Sequence, residues 1–491
     1  MTRRPYPAKT LSALRAAPAA LCVLLAGCVS MAPPYTRPAL PVPAAYAPAS
    51  PSDAAPDANA EAAAHIAWQT YFSDPVLHGL IDSALANNRD LRTALLRVEE
   101  ARALYGIQRA DQFPTLGVQA DGTRSRVPGD LNLTGQPQIS SQYQVGVGMA
   151  TWELDFWGRV RSLKDAALQN YLASDAAAQA ATLSLITQVA DSYLTLRELD
   201  ERLALTRETI ASRAESLRIF RRRFEVGAIS KLDLTQVETL WQQARALGAD
   251  LEQTRAAQAH ALELLVGAPL NLPAHITQLD DNAVMRELPA GLPSDLLINR
   301  PDIVAAEHQL QAANANIGAA RAAFLPSITL TGAFGTASAE LDGLFSGGSR
   351  AWNFAPSISL PIFDAGRRQS TLDLTEVRRD QAIATYEKSI QSAFRDVSDA
   401  LTARHWLAEQ VVVLRATVAA QSERARLAQL RYEHGASPYL EVLDAQRDLL
   451  AAQQTLVQRR RALLSSRVGL YAALGGGAQA AGLTAAAPST E

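Results

Sequence analysis

The chain has 491 residues, of which 48% are hydrophobic and 19% are charged, and its formal net charge is −3. This length suggests two or three domains, and the lack of a basic excess argues against a nucleic-acid-binding protein, which normally presents a basic face. Ala, Leu, Gln, Arg and Glu dominate long stretches, a composition that favours long helices.

Residues 1–27 have the pattern of a bacterial lipoprotein signal peptide. Four basic groups precede an apolar run that is too short to span a membrane, and the run ends at the lipobox Leu25-Ala26-Gly27-Cys28. We therefore expect a diacylglycerol and an acyl chain on Cys28. The mature chain would hold 42 basic and 49 acidic groups, a net charge of −7. Val29, where Asp would favour the inner membrane, indicates sorting to the outer membrane. The alternative is an incidental Cys at the end of a signal.

The first elements after the signal are an extended tether, a helical region and a hairpin. Residues 28–67 are rich in proline, which blocks helix formation. A helical pattern runs from Trp68 to about Gln112, with Asp74-Pro75 as a helix start. Two shorter patterned stretches then predict strands at about 115–127 and 141–154, and the alternation of apolar residues is clear in the second. A Gly-, Pro- and Asn-containing loop joins them.

Two long helices complete this first repeat, which covers residues 68–267. They are predicted at about 159–225 and 231–266, and their apolar residues recur at three- and four-residue spacing. That spacing indicates lateral packing against other helices, although Thr206 and Arg213 interrupt the stripe of the first.

The same order of elements recurs after a linker at 268–293. The second repeat, residues 294–475, is predicted to hold a helix, strands at about 327–338 and 352–363, and long helices at about 367–433 and 439–474. A low-complexity tail follows at 476–491. Equivalent glycines lie 208 residues apart: Gly158 and Gly366, Gly227 and Gly435, and Gly267 and Gly475. A constant offset indicates an internal duplication.

Four strands cannot close a barrel, because small membrane barrels begin at about eight strands and lipid does not tolerate open edges. No segment after the signal reaches the roughly 20 apolar residues of a spanning helix, so we expect any membrane crossing to use strands. Three copies of the chain would supply 12 strands, and two would supply eight. The sequence thus predicts a symmetric oligomer, with a barrel above a tube of helices.

About ten motifs, in order, resemble those of TolC-like outer-membrane factors. They are the lipobox, PPYTRP, WQTYFSDPVLHGLIDSALANNRDL, FPTL, WELDFWGR, FEVGAISKLDL, INRPDIVAAE, FLPSITLTG, SLPIFDAGRR and LRYEHGASPYLEVLDAQR. They cover nearly the whole mature chain and resemble in particular the lipidated channels of resistance-nodulation-division (RND) efflux systems. The resemblance implies a mixed α+β membrane protein: a homotrimer with a 12-stranded transmembrane β-barrel and a long periplasmic α-helical barrel. It also implies a periplasmic adaptor and an inner-membrane RND-type pump as partners.

The resemblance further implies that the tips of the two helical hairpins dock the adaptor. The tip residues are Val226, Gly227, Ala228, Ile229 and Ser230 in the first repeat, and His434, Gly435, Ala436, Ser437 and Pro438 in the second. A hairpin turn alone also explains the two glycines, since such a turn needs a residue that tolerates positive φ.

The resemblance also implies a periplasmic gate just after the second tip. Leu440, Asp444 and Arg447 lie at i, i+4 and i+7 and form one stripe on the helix. Threefold symmetry would make an apolar plug from three leucines and an acidic ring from three aspartates, whose repulsion favours a bound cation, protonation or pairing with the arginine. An ordinary solvated Asp–Arg pair is the alternative. The equivalents in the first repeat lack these charges; they are Leu232, Gln236 and Thr239.

No constellation of catalytic residues stands out. The seven histidines lack metal-ligand spacing, no phosphate-binding G-x-x-x-x-G-K-[ST] motif occurs, and Cys22 leaves with the signal. We therefore expect no enzyme activity, no metal, no cofactor apart from the N-terminal lipid, and no nucleic-acid partner.

Three functions remain open. They are a passive outer-membrane exit duct for small toxic molecules such as antibiotics, an outer-membrane channel for type I protein secretion, and a non-channel structural lipoprotein built of coiled coils. The lipid anchor favours the first, and the four strands count against the third. The sequence does not indicate the substrates or the particular pump.

Overall fold

The computed structural model describes residues 30–46, 63–270, 279, 281, 288 and 300–477. The predicted signal peptide, Cys28, most of the predicted linker and residues 478–491 of the tail lie outside this part of the chain.

The described chain is mostly helical and contains one four-stranded sheet. The helices are α1 (Trp68–Tyr71), α2 (Pro75–Asn87), α3 (Arg89–Ala110), α4 (Arg159–Glu225), α5 (Lys231–Val266), α6 (Pro301–Ala322), α7 (Arg367–Glu433) and α8 (Tyr439–Ala473), and the strands are β1 (Leu116–Val127), β2 (Gln138–Leu154), β3 (Ser327–Ser338) and β4 (Arg350–Ser359). The duplication extends to helix length, since α4 and α7 each have 67 residues and α5 and α8 have 36 and 35.

Polar side chains define the start of the helical region. Asp74 accepts hydrogen bonds from the backbone N–H groups of Val76 (2.7 Å) and Leu77 (3.3 Å). These bonds cap the N-terminus of α2, whose first residue is Pro75. The helical pattern then breaks once, at Asn88. Its side chain accepts from Leu91 N–H (2.8 Å) and donates to the carbonyl of Leu265 (2.8 Å), so this buried amide separates α2 from α3.

The sheet is antiparallel throughout, with strand order β1-β2-β3-β4. An irregularity between Met149 and Trp152 shifts the register of β2 against β3. Strand β4 ends at Ser359, four residues before the predicted end at 363. The ladder stops there because its partner strand β3 begins at Ser327, which pairs with Ser359. Strands β1 and β4 are the two edges of the sheet within this chain.

The chain divides into two compact units. Among the described residues, the first unit comprises residues 30–38, 98–173 and 306–386 and holds the sheet, and the second comprises the remainder. Most boundaries between the units fall within the helices α3, α4, α6 and α7. In the second unit, Tyr71 and Tyr471 stack with ring centroids 4.2 Å apart, and both side chains are fully buried.

Candidate functional site

The tips of the two long hairpins have the same backbone geometry. Gly227 has φ +74° and Gly435 has φ +71°, and each follows the last turn of a long helix. Ala228 N–H donates to the carbonyl of Arg223 (2.8 Å), and Ala436 N–H makes the equivalent bond (2.8 Å). These are Schellman turns, which require a residue that tolerates positive φ. An added Cβ would meet nothing within 4 Å at either glycine, so backbone conformation alone demands glycine there.

The entry into the second helix differs between the two tips. At the first tip, Ser230 Oγ accepts from Asp233 N–H (3.1 Å) while the Asp233 carboxylate accepts from Ser230 N–H (3.1 Å), a reciprocal capping box. At the second tip Pro438 takes the N-cap position without a side-chain bond, and the buried Ser437 Oγ has no partner among the described residues. The second hairpin therefore lacks the cap that stabilises the first.

A compact apolar cluster lies immediately behind the tips. Its buried members are Leu217, Phe220, Leu234, Val237 and Leu443, from α4, α5 and α8. The cluster holds the start of α8 against the first hairpin. Ile229, at the first tip, packs on its edge; most of the other predicted tip residues are exposed, Val226 by 65%.

The three predicted gate residues lie on a partly exposed stripe of α8. Leu440 is 45% exposed, whereas Val442 and Leu443 are buried. Asp444 Oδ1 lies 3.1 Å from Arg447 Nη1, and both side chains are substantially exposed. The structure therefore brings the predicted acid and base together on an accessible surface.

Two further charged residues, which we did not predict, extend this pair. Arg447 Nη2 lies 3.1 Å from Asp448 Oδ1, and Arg424 Nη1 on α7 lies 2.7 Å from Asp448 Oδ2. The hydrogen bond from Arg424, followed by that from Arg447, holds the pKa of Asp448 below its usual range. Asp448 directly follows Arg447 in the sequence, and the α7–α8 packing brings Arg424 to it.

One face of the sheet carries a row of exposed apolar side chains, one from each strand. In register, Val118 faces Val147, Val147 faces Phe334, and Phe334 faces Trp352. All four are at least 50% exposed. The next row is formed by Gln119, Gly146, Gly335 and Ala351, which are polar or small. These two neighbouring rows, which point to opposite faces of the sheet, thus differ: one is apolar, and the other is polar or small.

The N-terminal strap, residues 30–38, is held against α6. The buried Glu307 carboxylate accepts from Tyr35 OH (3.0 Å) and from Arg37 Nε (2.9 Å) and Nη2 (2.8 Å). Asn314 Nδ2 donates to the carbonyl of Pro33 (2.8 Å). A Cβ at Gly318 would lie 2.7 Å from the backbone nitrogen of Ala32, so the strap can lie this close to α6 only because residue 318 is glycine.

Within the residues that the structure describes, no group of three or more His, Cys, Asp or Glu side chains could hold a metal ion. The helices of this part of the chain include none that is both long and apolar enough to cross a membrane.

A family model and two curated relatives each match most of this chain. The family model described as outer membrane efflux protein matches residues 80–268 and 292–476. The solvent efflux pump outer membrane protein SrpC of Pseudomonas putida is 47% identical over 457 residues, covering 93% of this chain and 96% of that protein. Outer membrane protein OprJ of Pseudomonas aeruginosa is 44% identical over 462 residues, covering 94% and 95%.

Two solved structures are also similar to this chain over most of its length. A membrane protein from Pseudomonas aeruginosa superposes with a TM-score of 0.86 at 43% identity, covering 91% of this chain and all of that one. The open state of the Neisseria gonorrhoeae MtrE outer membrane channel gives a TM-score of 0.83 at 40% identity, covering 92% and 99%.

Proposed function

The chain belongs to the outer membrane efflux protein family, and from that premise we propose that it is the exit duct of a tripartite efflux pump. In this role it conducts small toxic molecules passively from an inner-membrane pump and a periplasmic adaptor to the exterior. Relatives are named for the efflux of solvent, toluene and antibiotics, so small, largely apolar compounds are the proposed cargo. These names favour efflux over protein secretion.

The observation that carries the proposal is the exposed apolar row of Val118, Val147, Phe334 and Trp352. Soluble proteins rarely leave such a row bare, and alternation of apolar with small or polar rows is typical of strands that face lipid on one side and a lumen on the other. A structural coiled-coil lipoprotein would have no use for this sheet.

The unpaired edges of the sheet support a trimer. Strands β1 and β4 have free edges in one chain, and free edges are costly in lipid. Pairing β4 of one copy with β1 of the next closes the sheet, and three copies give the proposed 12-stranded barrel. The long hairpins then form the periplasmic helical barrel.

The tip residues are the proposed docking surface for the adaptor, and Leu440, Asp444 and Arg447 are the proposed gate. The exposure of Val226 and the exposed Asp444–Arg447 pair support these roles. We add Asp448 and Arg424 to the gate, because Asp448 shares Arg447 with Asp444 and binds Arg424. The adaptor opens the gate by drawing these groups apart.

The N-terminus anchors the duct to the outer membrane through the proposed lipid on Cys28. The strap supports this arrangement, because its bonds to Glu307 begin only seven residues after Cys28. Intact-mass measurement of the purified protein tests the anchor: the expected mass is that of residues 28–491 plus one diacylglycerol and one acyl chain.

Gene deletion tests the function. The expected result is lost tolerance to solvents and antibiotics, restored by the wild-type gene, with the set of secreted proteins unchanged. Loss of a secreted protein with unchanged drug tolerance would favour the secretion channel instead. A heat-sensitive trimer on a gel is expected for the wild-type protein, and a monomer that never forms a trimer would contradict the duct.

A further inference from the structure

Arg213, which interrupts the apolar stripe of α4, is a buried cation without a charged partner. Only 4% of the residue is exposed. One guanidinium nitrogen, Nη1, donates to the carbonyl of Leu240 on α5 (2.7 Å), and Nε has no hydrogen-bond partner within the described chain. Among the described residues, no carboxylate forms an ion pair with it. Cations are rarely buried in this way, because taking a charge out of water is costly unless an opposite charge compensates.

This cation lies behind the start of α8, the helix that carries the proposed gate. Three residues further along α4, Ser216 Oγ accepts a hydrogen bond from Tyr439 OH (2.8 Å), and Tyr439 is the first residue of α8. Burial lowers the pKa of Arg213; Tyr439 raises it, and the charge of Arg447 lowers it again. The two arginines therefore repel each other; Arg213 is buried, whereas the side chain of Arg447 is 56% exposed.

The duplicated hairpin shows that this position does not require a cation. The residue equivalent to Arg213 in α7, at the offset of 208, is Gln421. Gln421 is half-buried and accepts a hydrogen bond from Arg424 (3.2 Å). A neutral amide thus occupies the matching place in a helix of equal length, so helix geometry does not explain the charge in α4.

The start of α8 packs beside the segment of α4 that carries Arg213. Leu443 of α8 belongs to the same buried cluster as Leu217 and Phe220 of α4, and Tyr439 packs against that cluster. If the start of α8 moved away from α4, water would reach the guanidinium and its unpartnered nitrogen, and its distance from Arg447 would grow. Both changes favour the separated arrangement.

We propose that Arg213 is a positioning residue for the gate, whose buried charge weakens the contact between α4 and the first turns of α8. The apolar cluster and the Tyr439–Ser216 hydrogen bond stabilise the packing of α8 on α4, and the buried charge of Arg213 destabilises it. The adaptor then needs to supply less free energy to move α8. This inference rests on the proposed gate, because the helix that Arg213 loosens is the one that carries Asp444 and Arg447.

Hydrogen–deuterium exchange on the purified trimer tests the inference without relying on transport. The readout is the exchange rate of the backbone amides in residues 439–448. Arg213→Gln, which copies the second repeat, is expected to slow exchange about five- to thirtyfold. Arg213→Lys retains the charge and is expected to keep the wild-type rate, whereas Tyr439→Phe removes the opposing hydrogen bond and is expected to speed exchange. If Arg213→Gln fails to assemble, Arg213→Met is the neutral substitute.

The following outcomes distinguish a failure of this inference from a failure of the proposed gate. Unchanged or faster exchange in the neutral variants would overturn the inference, and so would slowing in Arg213→Lys equal to that in Arg213→Gln, since the effect would then not depend on charge. In the Asp444→Ala background, Arg213→Gln is expected to lower channel conductance. If exchange slows as expected but Asp444→Ala with Arg447→Ala leaves conductance at the wild-type level, Arg213 loosens α8 as inferred and the gate residues are wrong.

Discussion

The guanidinium of Arg447 is shared between two carboxylates of its own helix, lying 3.1 Å from Asp444 Oδ1 and 3.1 Å from Asp448 Oδ1. The equivalent positions in α5 hold Gln236, Thr239 and Leu240, so this charge pattern belongs to the second hairpin alone. Exposed ion pairs each contribute less than about 1 kcal/mol. These ion pairs therefore contribute little to the stability of the fold, and a partner protein can break them at a small cost in free energy.

Removing the shared cation is expected to make the duct leak without unfolding it. In Arg447→Ala, the carboxylates of neighbouring copies repel one another with no compensating charge, which favours the open gate. Cells that produce this variant are expected to become several-fold more sensitive to large hydrophilic antibiotics that the outer membrane normally excludes. The matched control is Thr239→Ala at the equivalent exposed position of α5. Equal sensitivity in both variants would show that the leak does not come from the charge pattern.

The first hairpin tip is expected to bind the adaptor through Val226. This side chain is 65% exposed and lies beside the glycine turn, so Val226→Asp changes the docking surface without disturbing the core. We expect the melting temperature to stay within about 2 °C of the wild type, because surface changes of this kind are nearly neutral. Adaptor affinity, measured by surface plasmon resonance, is expected to fall at least about tenfold, since a charge would be buried at the contact. Val226→Ile should retain binding, and unaltered affinity in Val226→Asp would place the docking surface elsewhere.

The attachment of the strap is expected to depend on pH through Tyr35. Burial, followed by the hydrogen bond to Glu307, raises the pKa of Tyr35 to about 12 from its ordinary value of 10.0. The folded chain thus retains this proton more tightly than the unfolded chain, so the contribution of Tyr35 is complete below about pH 10 and is lost as the pH rises through about 12. A fluorophore on Thr36→Cys should show falling anisotropy over this interval. Most of this fall should disappear in Tyr35→Phe; an unchanged pH profile in that variant would contradict the assignment.

Neutralising Glu307 is expected to free the strap at neutral pH. Glu307→Gln cannot accept the paired bonds of Arg37 as a carboxylate does, and charge-assisted bonds of this kind are worth roughly 1.5–3 kcal/mol. The anisotropy of the same fluorophore should drop in this variant. Glu376→Gln is the matched control, because Glu376 pairs with Arg321 (3.3 Å) rather than with the strap. If both variants leave the anisotropy unchanged, Glu307 is not what holds the strap.

The repeat and the hairpin tips could be predicted from the sequence because they depend on local features. Glycines at a constant offset fix the turns, and both turn glycines have positive φ. The comparisons confirm the predicted family, efflux function and outer-membrane location. The roles of the gate and tip residues remain predictions, since they depend on copies and partners beyond one chain.

The contacts that escaped prediction join residues far apart in the chain. Tyr35 and Arg37 lie in one motif and Glu307 in another, roughly 270 residues away, and no periodicity links them. Arg424 meets Asp448 only because α7 and α8 pack as a hairpin. Arg213 was visible in the sequence as an interruption of an apolar stripe, but its burial and its lack of a carboxylate partner emerge only from the packing of three helices.

Single-channel conductance in planar bilayers tests the central claim most directly. The comparison is between purified wild-type trimers and trimers carrying Asp444→Ala with Arg447→Ala. A passive duct gated at these residues predicts a nearly closed wild type and a much more conductive variant. If neither protein conducts although both are inserted as trimers, the chain is not a channel and the account is contradicted.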